Sequence, residues 1–338
     1  MQTRSPTPSN SRLAAIALVA AVLALAGAPL ACAQEPGAAQ APLPELSPAP
    51  VLVVPEDRGW EAGARYWWSQ GRTQWNHNAQ RSDPTLGNPT SVLDYDRLYA
   101  HSLEFQGAKN WRQGWFITGN AGLGLIYKGN LNDADYDRGQ VKFSETNSSI
   151  NEGFLGYITV DGGYNVWRFP GGSTIGLFGG LQYWTEEVEA YGASYVVRPA
   201  GQSNIGSGVK VITNEVHWAS VRTGVAFRTQ LGQKVRVVAQ LAAVPYTYLQ
   251  NDDSHHLRTS RSDLGSTPNI TMEGSGYGYQ LDAEVRYAIY KRMELGLGAR
   301  YWKLKADGDI TFAHSTTLPL NDFESKRYGL TLSLINRW

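Results

Sequence analysis

The stretch YGYQLDAEVRY, residues 277–287, decides the fold class because its side chains alternate in character with a period of two. Tyrosine, leucine, alanine and valine fall on one face, and glycine, glutamine, aspartate, glutamate and arginine fall on the other. This period is typical of a β-strand and not of a helix. The last segment, residues 327–338, repeats the pattern and ends on an aromatic residue, Trp338. The sequence therefore predicts strands with one apolar and one polar face.

Alternation alone fits both a soluble sandwich and a membrane barrel, and three further features favour the barrel. The alternating segments are about 16 to 20 residues long, whereas soluble strands usually have 5 or 6. Tyrosine and tryptophan recur toward the segment ends, as in the aromatic girdles of outer-membrane barrels. A terminal aromatic on an alternating last strand resembles the assembly signal of bacterial outer-membrane proteins. We therefore predict an all-β fold, an antiparallel transmembrane β-barrel of the bacterial outer membrane.

Ten such segments are present, and an even number is what a closed antiparallel bacterial barrel requires. Both termini then lie on the periplasmic side, and the longer connections, near 76–90, 129–151, 191–212, 251–273 and 313–322, become extracellular loops. The predicted strands are Arg58–Trp75, Ser91–Lys109, Trp111–Lys128, Glu152–Arg168, Ser173–Ala190, Thr213–Gln230, Lys234–Gln250, Gly274–Tyr290, Met293–Phe312 and Phe323–Trp338.

The N-terminal region has the composition of an export signal. Basic residues precede an Ala/Leu/Val-rich run, and Ala31-Cys32-Ala33 provides a cleavage site, so residues 1–33 are a predicted signal peptide. A lipoprotein signal that uses Cys32 is the alternative. Residues 34–55 are rich in Pro and Ala and are predicted to form a flexible leader, and residues 56–338 form the barrel. The 30 basic and 30 acidic residues balance, which excludes a basic nucleic-acid-binding protein.

The pattern also predicts what the barrel encloses. Three similar motifs, beginning at Gly63, Gly180 and Gly298, end in Tyr-Trp and lie on strands one, five and nine, with Tyr predicted outward and Trp inward. Ten strands enclose little space, and a wide pore needs more. We expect inward polar side chains to fill the lumen and function to lie at the outer rim. The inward side chains are Arg65, Asp161, Arg222, Arg228, Gln240, Asp282, Glu284, Arg286 and Arg300.

Two short motifs at the rim carry candidate chemistry. Asp133 and Asp135 are two residues apart in an extended segment, so both carboxylates point toward the mouth of the barrel. Asp253 and His255 have the same spacing in the fourth loop, and a carboxylate next to an imidazole orients it and raises its basicity. The alternatives are solvated loops, a calcium site at the aspartates, or a metal site using His255 or His256. Loops two and four are two extracellular connections apart on the ring, so we expect the two pairs to face each other across the mouth and to leave a cleft in which a water is activated.

With these motifs the sequence resembles the omptin family of outer-membrane proteases. Omptins are ten-stranded barrels whose second loop carries Asp-x-Asp followed by an aromatic, which Asp133-Ala134-Asp135-Tyr136 matches. Their fourth loop carries Asp-x-His, which Asp253-Ser254-His255 matches. The stretch from Gly180 to Tyr195 also looks like the omptin fifth strand and third loop. The resemblance extends from Trp60 to Trp338, mostly as strand pattern.

The resemblance implies peptide hydrolysis by a water held between the two walls of the mouth. Asp253 would orient His255, the general base, while Asp133 and Asp135 hold the water, and no covalent intermediate forms. It also implies a peptide or protein substrate, contact with outer-membrane lipid, and a requirement for lipopolysaccharide. We expect no metal, no other cofactor, no nucleic acid and a monomeric barrel.

The sequence departs from the family at the substrate pocket. Omptins cleave beside basic residues, using an acid at the top of the first strand and another two residues before the loop-four Asp. Here Trp68–Ser82 contains no acid, and the second position is Asn251, with Asp252 adjacent. We assign substrate binding to Asn251 and Asp252. The loss of pocket acids favours the alternative function, a non-enzymatic barrel that acts as an adhesin or structural protein; a lipid-modifying enzyme and a narrow channel remain further possibilities.

Overall fold

The computed structural model describes residues 59–169 and 171–338, which form ten antiparallel strands in a closed ring. Each strand pairs with its neighbours along the chain, and β1 pairs with β10 to close the barrel. No helix among the described residues is long and apolar enough to cross a membrane. The predicted signal peptide and leader lie outside the described residues. The strands are β1 (Gly59–His77), β2 (Ser91–Asn110), β3 (Trp115–Asp137), β4 (Val141–Arg168), β5 (Thr174–Val197), β6 (Ile205–Leu231), β7 (Val235–His255), β8 (Ile270–Tyr290), β9 (Met293–Phe312) and β10 (Thr316–Arg337).

The alternation of the 277–287 stretch has the phase of a membrane barrel. Gln280, Glu284 and Arg286 are buried in the lumen, whereas Tyr279 and Val285 are half exposed on the outer surface. An apolar exterior around a polar interior is the reverse of a soluble sandwich, since water would contact the apolar face. The predicted ten-stranded transmembrane barrel is confirmed.

Two rings of outward aromatic side chains border the apolar belt. A belt between aromatic girdles is the pattern that matches a bilayer about 25 Å thick in its apolar part. The lower ring includes Trp60, Trp115, Trp167, Tyr287 and Trp338, and the upper ring includes Trp68, Tyr127, Tyr248, Tyr279 and Tyr328. The protein therefore lies in the bacterial outer membrane, with the long strand ends beyond the upper ring.

The strands continue farther above the membrane than the sequence predicts. The predicted loops at 129–151 and 191–212 are wrong, because β3 and β4 pair up to a turn at 138–140, and β5 and β6 up to a turn at 198–204. The other extracellular connections are 78–90, 256–269 and 313–315. Above the membrane the outer strand face meets water, so polar residues occupy it and the apolar-outward alternation disappears although the backbone stays paired.

The lumen is filled by packed charged and aromatic side chains, as predicted. The Arg300 guanidinium lies 4.9 Å from the ring centres of Trp67 and Trp302, which are themselves 5.0 Å apart. Trp184 lies 5.7 Å from Trp302, so the three repeated motifs meet in one aromatic cluster. Below it, Arg65 bridges Glu104, Asp282 and Glu284 at 3.2 Å each, beside a polar cavity of about 80 Å³.

Candidate active site

An irregularity in β7 turns Asp253 and His255 toward the interior. Ala242 and Val244 point inward, and strict alternation from them would place Asp253 on the outer face. Pro245 and Tyr246 are both exposed, and the register with β8 gains one residue there. This is a β-bulge, which re-aims the side chains that follow it. Beyond it, the buried side chains are Thr247, Leu249, Asn251 and Asp253.

Irregularities in β2 and β3 lie below the opposite wall of the mouth. In β3, Tyr127 and Lys128 are both exposed, where the register with β2 shifts, and the alternation changes phase so that Asp133 and Asp135 face inward. In β2, the bulge at Asp96 and Arg97 changes the phase of the alternation for the residues above it. Arg97 has a φ of 53°. A positive φ is uncommon for a residue other than glycine, and residues with such strained backbone conformations cluster at functional sites.

The Asp253–His255 pair is tightly enclosed. The side chain of Asp253 has no exposed surface, and its Oδ1 lies 3.6 Å from Nε2 of His255. Both atoms are buried without a hydrogen-bond partner. The backbone of His255 is fixed by Asn269, whose Oδ1 accepts from His255 N at 2.9 Å and whose Nδ2 donates to His255 O at 3.1 Å. Two facing, unpaired polar atoms are suited to share a proton or a water.

Asp133 and Asp135 line the other wall, on β3. In register they lie beside Leu93 and Ser91 of β2, and Ser91 Oγ donates a hydrogen bond to Asp135 Oδ1. Asp133 is half-buried and lies six residues beyond the girdle residue Tyr127. The carboxylates are therefore outside the bilayer, at the extracellular end of the lumen.

Tyr95 on β2 joins the two walls. Its hydroxyl donates to Oδ2 of Asp253 at 3.1 Å, and in the β2–β3 ladder it lies opposite Leu131, two residues from Asp133. Strands β2 and β7 are five positions apart on the ring of ten, so this bond spans the barrel. The structure thus brings the predicted Asp133–Asp135 and Asp253–His255 pairs to one place. The sequence analysis did not identify Tyr95 as a residue of the site, because nothing near it in the chain indicates that its partner is Asp253.

Burial dominates the electrostatics of the site. It raises the pKa of Asp253 to about 7, while the Tyr95 hydrogen bond opposes the shift. It lowers the pKa of His255 to about 4, and the nearby Arg258 charge lowers it further. Burial and the charges of Asp135 and Asp253 raise the pKa of Asp133 well above its usual value. The pKa of Asp135 is also raised by burial, against the Ser91 hydrogen bond. The site therefore favours a neutral imidazole and at least one protonated carboxyl.

The two residues assigned to substrate binding have opposite orientations. Asn251 is buried below Asp253, and its Nδ2 donates to Asn214 Oδ1 at 3.0 Å. Asp252 lies between Glu215 of β6 and Thr271 of β8, on the face of β7 opposite Asp253. Asp252 therefore faces away from the lumen, because side chains of successive strand residues point to opposite faces, and its assignment to substrate binding stays a prediction.

The connection 256–269 lies over the Asp253–His255 wall. Arg258 makes a bidentate ion pair with Asp263, with distances from 2.6 to 3.1 Å, and Leu264 packs into the apolar cluster of the upper lumen. Within residues 59–169 and 171–338, no group of three or more His, Cys, Asp or Glu side chains is arranged to hold a metal ion.

Comparison with known proteins identifies the fold. No family model and no curated protein matches the chain. The crystal structure of the outer membrane protease OmpT from Escherichia coli matches with a TM-score of 0.66 at 14% identity, covering 83% of this chain and 97% of that chain. Ail, the attachment invasion locus protein of Yersinia pestis, has a TM-score of 0.29 at 9% identity, covering 82% of this chain and 99% of that chain, too low to support an argument. The fold is thus that of the omptin-type barrel which the sequence resembles.

Proposed function

We propose that this barrel is an omptin-like outer-membrane endopeptidase. The observation that carries the proposal is the meeting of Asp253 and His255, 3.6 Å apart, with Asp133 and Asp135 at the extracellular end of the lumen. Hydrolysis by an activated water needs a general base and groups that hold the water and stabilise the oxyanion. Three carboxyls and one imidazole in one enclosed place can supply these roles. The fold shared with OmpT is consistent with this function.

In the proposed reaction, the water oxygen attacks the peptide carbonyl carbon and His255 accepts the water proton. Asp253 orients the imidazole and stabilises its positive charge. A protonated Asp133 donates a hydrogen bond to the developing oxyanion, and Asp135 holds the attacking water. His255 then gives its proton to the leaving amine as the C–N bond breaks. The substrate is a peptide or protein outside the cell, and the apolar belt contacts outer-membrane lipid.

The second candidate is a non-enzymatic barrel, an adhesin or structural protein. Two observations favour it: Asp253 is fully buried beneath apolar side chains, and the pocket position Asn251 carries no charge. Hydrolysis requires the 256–269 connection to move so that a peptide reaches the two walls. A purely structural barrel requires no such movement.

Cleavage of a mixed peptide library tests the proposal. The refolded barrel is incubated with added lipopolysaccharide between pH 5 and 9, and products are identified by mass spectrometry. We expect products from the wild type and none from Asp253→Asn or His255→Ala. The matched control is His256→Ala, because His256 faces away from the mouth and bonds Thr213 Oγ1 at 2.8 Å. The absence of products from a correctly folded wild-type barrel throughout this range would favour the non-enzymatic function.

A further inference from the structure

A tyrosine that no motif identifies makes the contact that joins the two walls of the mouth. Tyr95 has no exposed surface, and its hydroxyl donates to Asp253 Oδ2 at 3.1 Å across the barrel. We propose that Tyr95 is a positioning residue of the hydrolytic centre, which holds the Asp253 carboxylate in the orientation that directs Oδ1 at His255. This inference rests on the proposed function, and it assigns Tyr95 a role in the geometry of that centre.

The two oxygens of Asp253 have separate neighbours. Oδ2 accepts the Tyr95 hydrogen bond, while Oδ1 has no hydrogen-bond partner and lies 3.6 Å from His255 Nε2. A carboxylate held at one oxygen cannot rotate freely about its terminal torsion, which is otherwise broad. The phenol thus fixes the plane of the carboxylate, and the free oxygen stays directed at the imidazole.

The backbone of β2 is distorted just below Tyr95. Leu98 and Ala100 point inward, so strict alternation would place Tyr95 on the outer face. The bulge at Asp96 and Arg97, with Arg97 in the left-handed region, reverses the phase and turns the phenol into the lumen. Bulges of this kind commonly re-aim a side chain beside an active site. The strained backbone of Arg97 is therefore accounted for by its effect, which is to turn Tyr95 into the lumen.

The phenol remains a donor over the working pH range. Burial and the charges of Asp253 and Asp133 raise the pKa of Tyr95 well above its usual value. The titratable and charged groups around Asp253 and His255 are Tyr95 on β2, Asp133 and Asp135 on β3, and His256, Arg258 and Asp263 beyond β7. The adjacent inward residues of β6 and β8 are uncharged: Ile212, Asn214, Val216, Ile270 and Met272.

The variant Tyr95→Phe removes the hydroxyl and keeps the ring. Hydrogen bonds to charged groups contribute enough that we expect kcat to fall roughly tenfold to a hundredfold, with little change in KM. Without the donor, the ionised carboxylate is less favoured, so the acidic limb of the kcat–pH profile shifts to higher pH. The matched control is Tyr157→Phe, another buried inward tyrosine, whose hydroxyl lies 3.5 Å from Ser102 Oγ in the aromatic cluster of the middle lumen. We expect it to leave both readouts unchanged.

The outcomes separate this inference from the proposed function. If the wild type cleaves peptides and folded Tyr95→Phe keeps the same kcat and pH profile, the positioning role is refuted and the protease function stands. If the wild type cleaves nothing, the function fails, and the titration of 13C-labelled His255 followed by NMR still decides the positioning role. Its resonances, assigned with His255→Ala, report the ionisation of Asp253. A midpoint that moves upward in Tyr95→Phe supports the inference, and an unchanged midpoint overturns it.

Discussion

At the scale of single residues, the protonation of Asp253 and His255 predicts the pH dependence of hydrolysis. The proposed base form has an ionised Asp253 and a neutral His255. His255 stays neutral above pH 4, and Asp253 loses its proton only near pH 7. Because the Asp253 pKa is raised, the active form accumulates as pH rises and is lost as pH falls through about 7. We expect kcat/KM to rise about tenfold per pH unit below 7 and to level off above it, measured with one cleaved peptide.

A profile that is flat between pH 5 and 8 would contradict this assignment of Asp253. The matched control is Glu273→Gln, a change at an exposed residue of β8, which we expect to leave the profile in place. The loss of activity at high pH is a second expectation, because Asp133 then gives up the proton that it needs as a donor.

The residues of the site were predictable to different degrees. The spacing of Asp133 with Asp135, and of Asp253 with His255, is visible in the sequence, and the structure brings these pairs together. Tyr95 was not predictable, because its partner is 158 residues away in the chain. The outward direction of Asp252 was not visible in the sequence, where it is simply adjacent to Asn251, whereas in a strand successive side chains point to opposite faces.

At the scale of the strand, the bulge in β7 is what directs the Asp253–His255 pair inward. Deletion of Pro245 removes the extra residue between Val244 and Thr247, and Asp253 then lies eight residues from the inward Val244, so it still faces inward. Deletion of Tyr248, above the bulge, places Asp253 an odd number of residues from the inward Thr247. Asp253 and His255 would then face outward, so we expect peptide cleavage to fall at least a hundredfold in a barrel that still folds. Peptide cleavage and heat-modifiable gel migration measure these two properties. The matched control is deletion of Ser262, in the exposed part of the 256–269 connection, which leaves the phase of β7 intact.

Full activity in the Tyr248 deletion would mean that β7 reaches the mouth in a different register. The bulges also show where sequence patterns stop being informative. Alternation predicted ten strands, but extended from the membrane segment it gives the wrong face for Asp253. Only Pro245 marks a bulge in the sequence, because proline within a strand is confined to edges and bulges. The bulge at Asp96 and Arg97 carries no comparable signal.

A second element-scale prediction concerns Asn269, which ties the end of β7 to the start of β8. Its amide bonds both backbone groups of His255, so Asn269→Ala removes the side-chain acceptor of His255 N and one of the two donors to His255 O, which also accepts from Arg258 N at 3.2 Å, at a cost of about 1–3 kcal/mol. We expect faster hydrogen exchange confined to residues 255–269, with reduced peptide cleavage. The matched control, Asn321→Ala, removes an amide that bonds Asn76 and Asn88 and should loosen only residues near 78–90. Unchanged exchange at His255 would show that the strand end is held by other contacts.

At the scale of the whole molecule, the interior is layered from the periplasm outward. Ion pairs of Arg65 and its partners fill the lower lumen, the aromatic cluster around Arg300 fills the middle, and apolar side chains surround the candidate site. The layers explain how a ten-stranded barrel carries buried charge without an open pore: each charged group in the lower and middle lumen faces an opposite charge or an aromatic ring. The site is different, because Asp133, Asp135 and Asp253 bring three carboxyls together with His255, and Asp253 Oδ1 and His255 Nε2 are buried without a hydrogen-bond partner.

Arg327 of β10 tests whether contacts across the lumen hold the barrel closed. Its Nε lies 2.5 Å from Glu186 Oε1 of β5, five positions away on the ring, and both side chains are buried. Arg327→Met leaves Glu186 as an uncompensated buried charge, so we expect the free energy of unfolding to fall by about 3–5 kcal/mol. The control, Lys303→Met, breaks the partly exposed outer pair with Glu324 and should cost at most about 1 kcal/mol. Urea unfolding in lipid vesicles, followed by tryptophan fluorescence, measures both. Equally small losses of unfolding free energy in both variants would mean that water in the lumen screens Glu186. Partial recovery of the unfolding free energy in the double variant Arg327→Met with Glu186→Gln would confirm that the unpaired charge causes the loss.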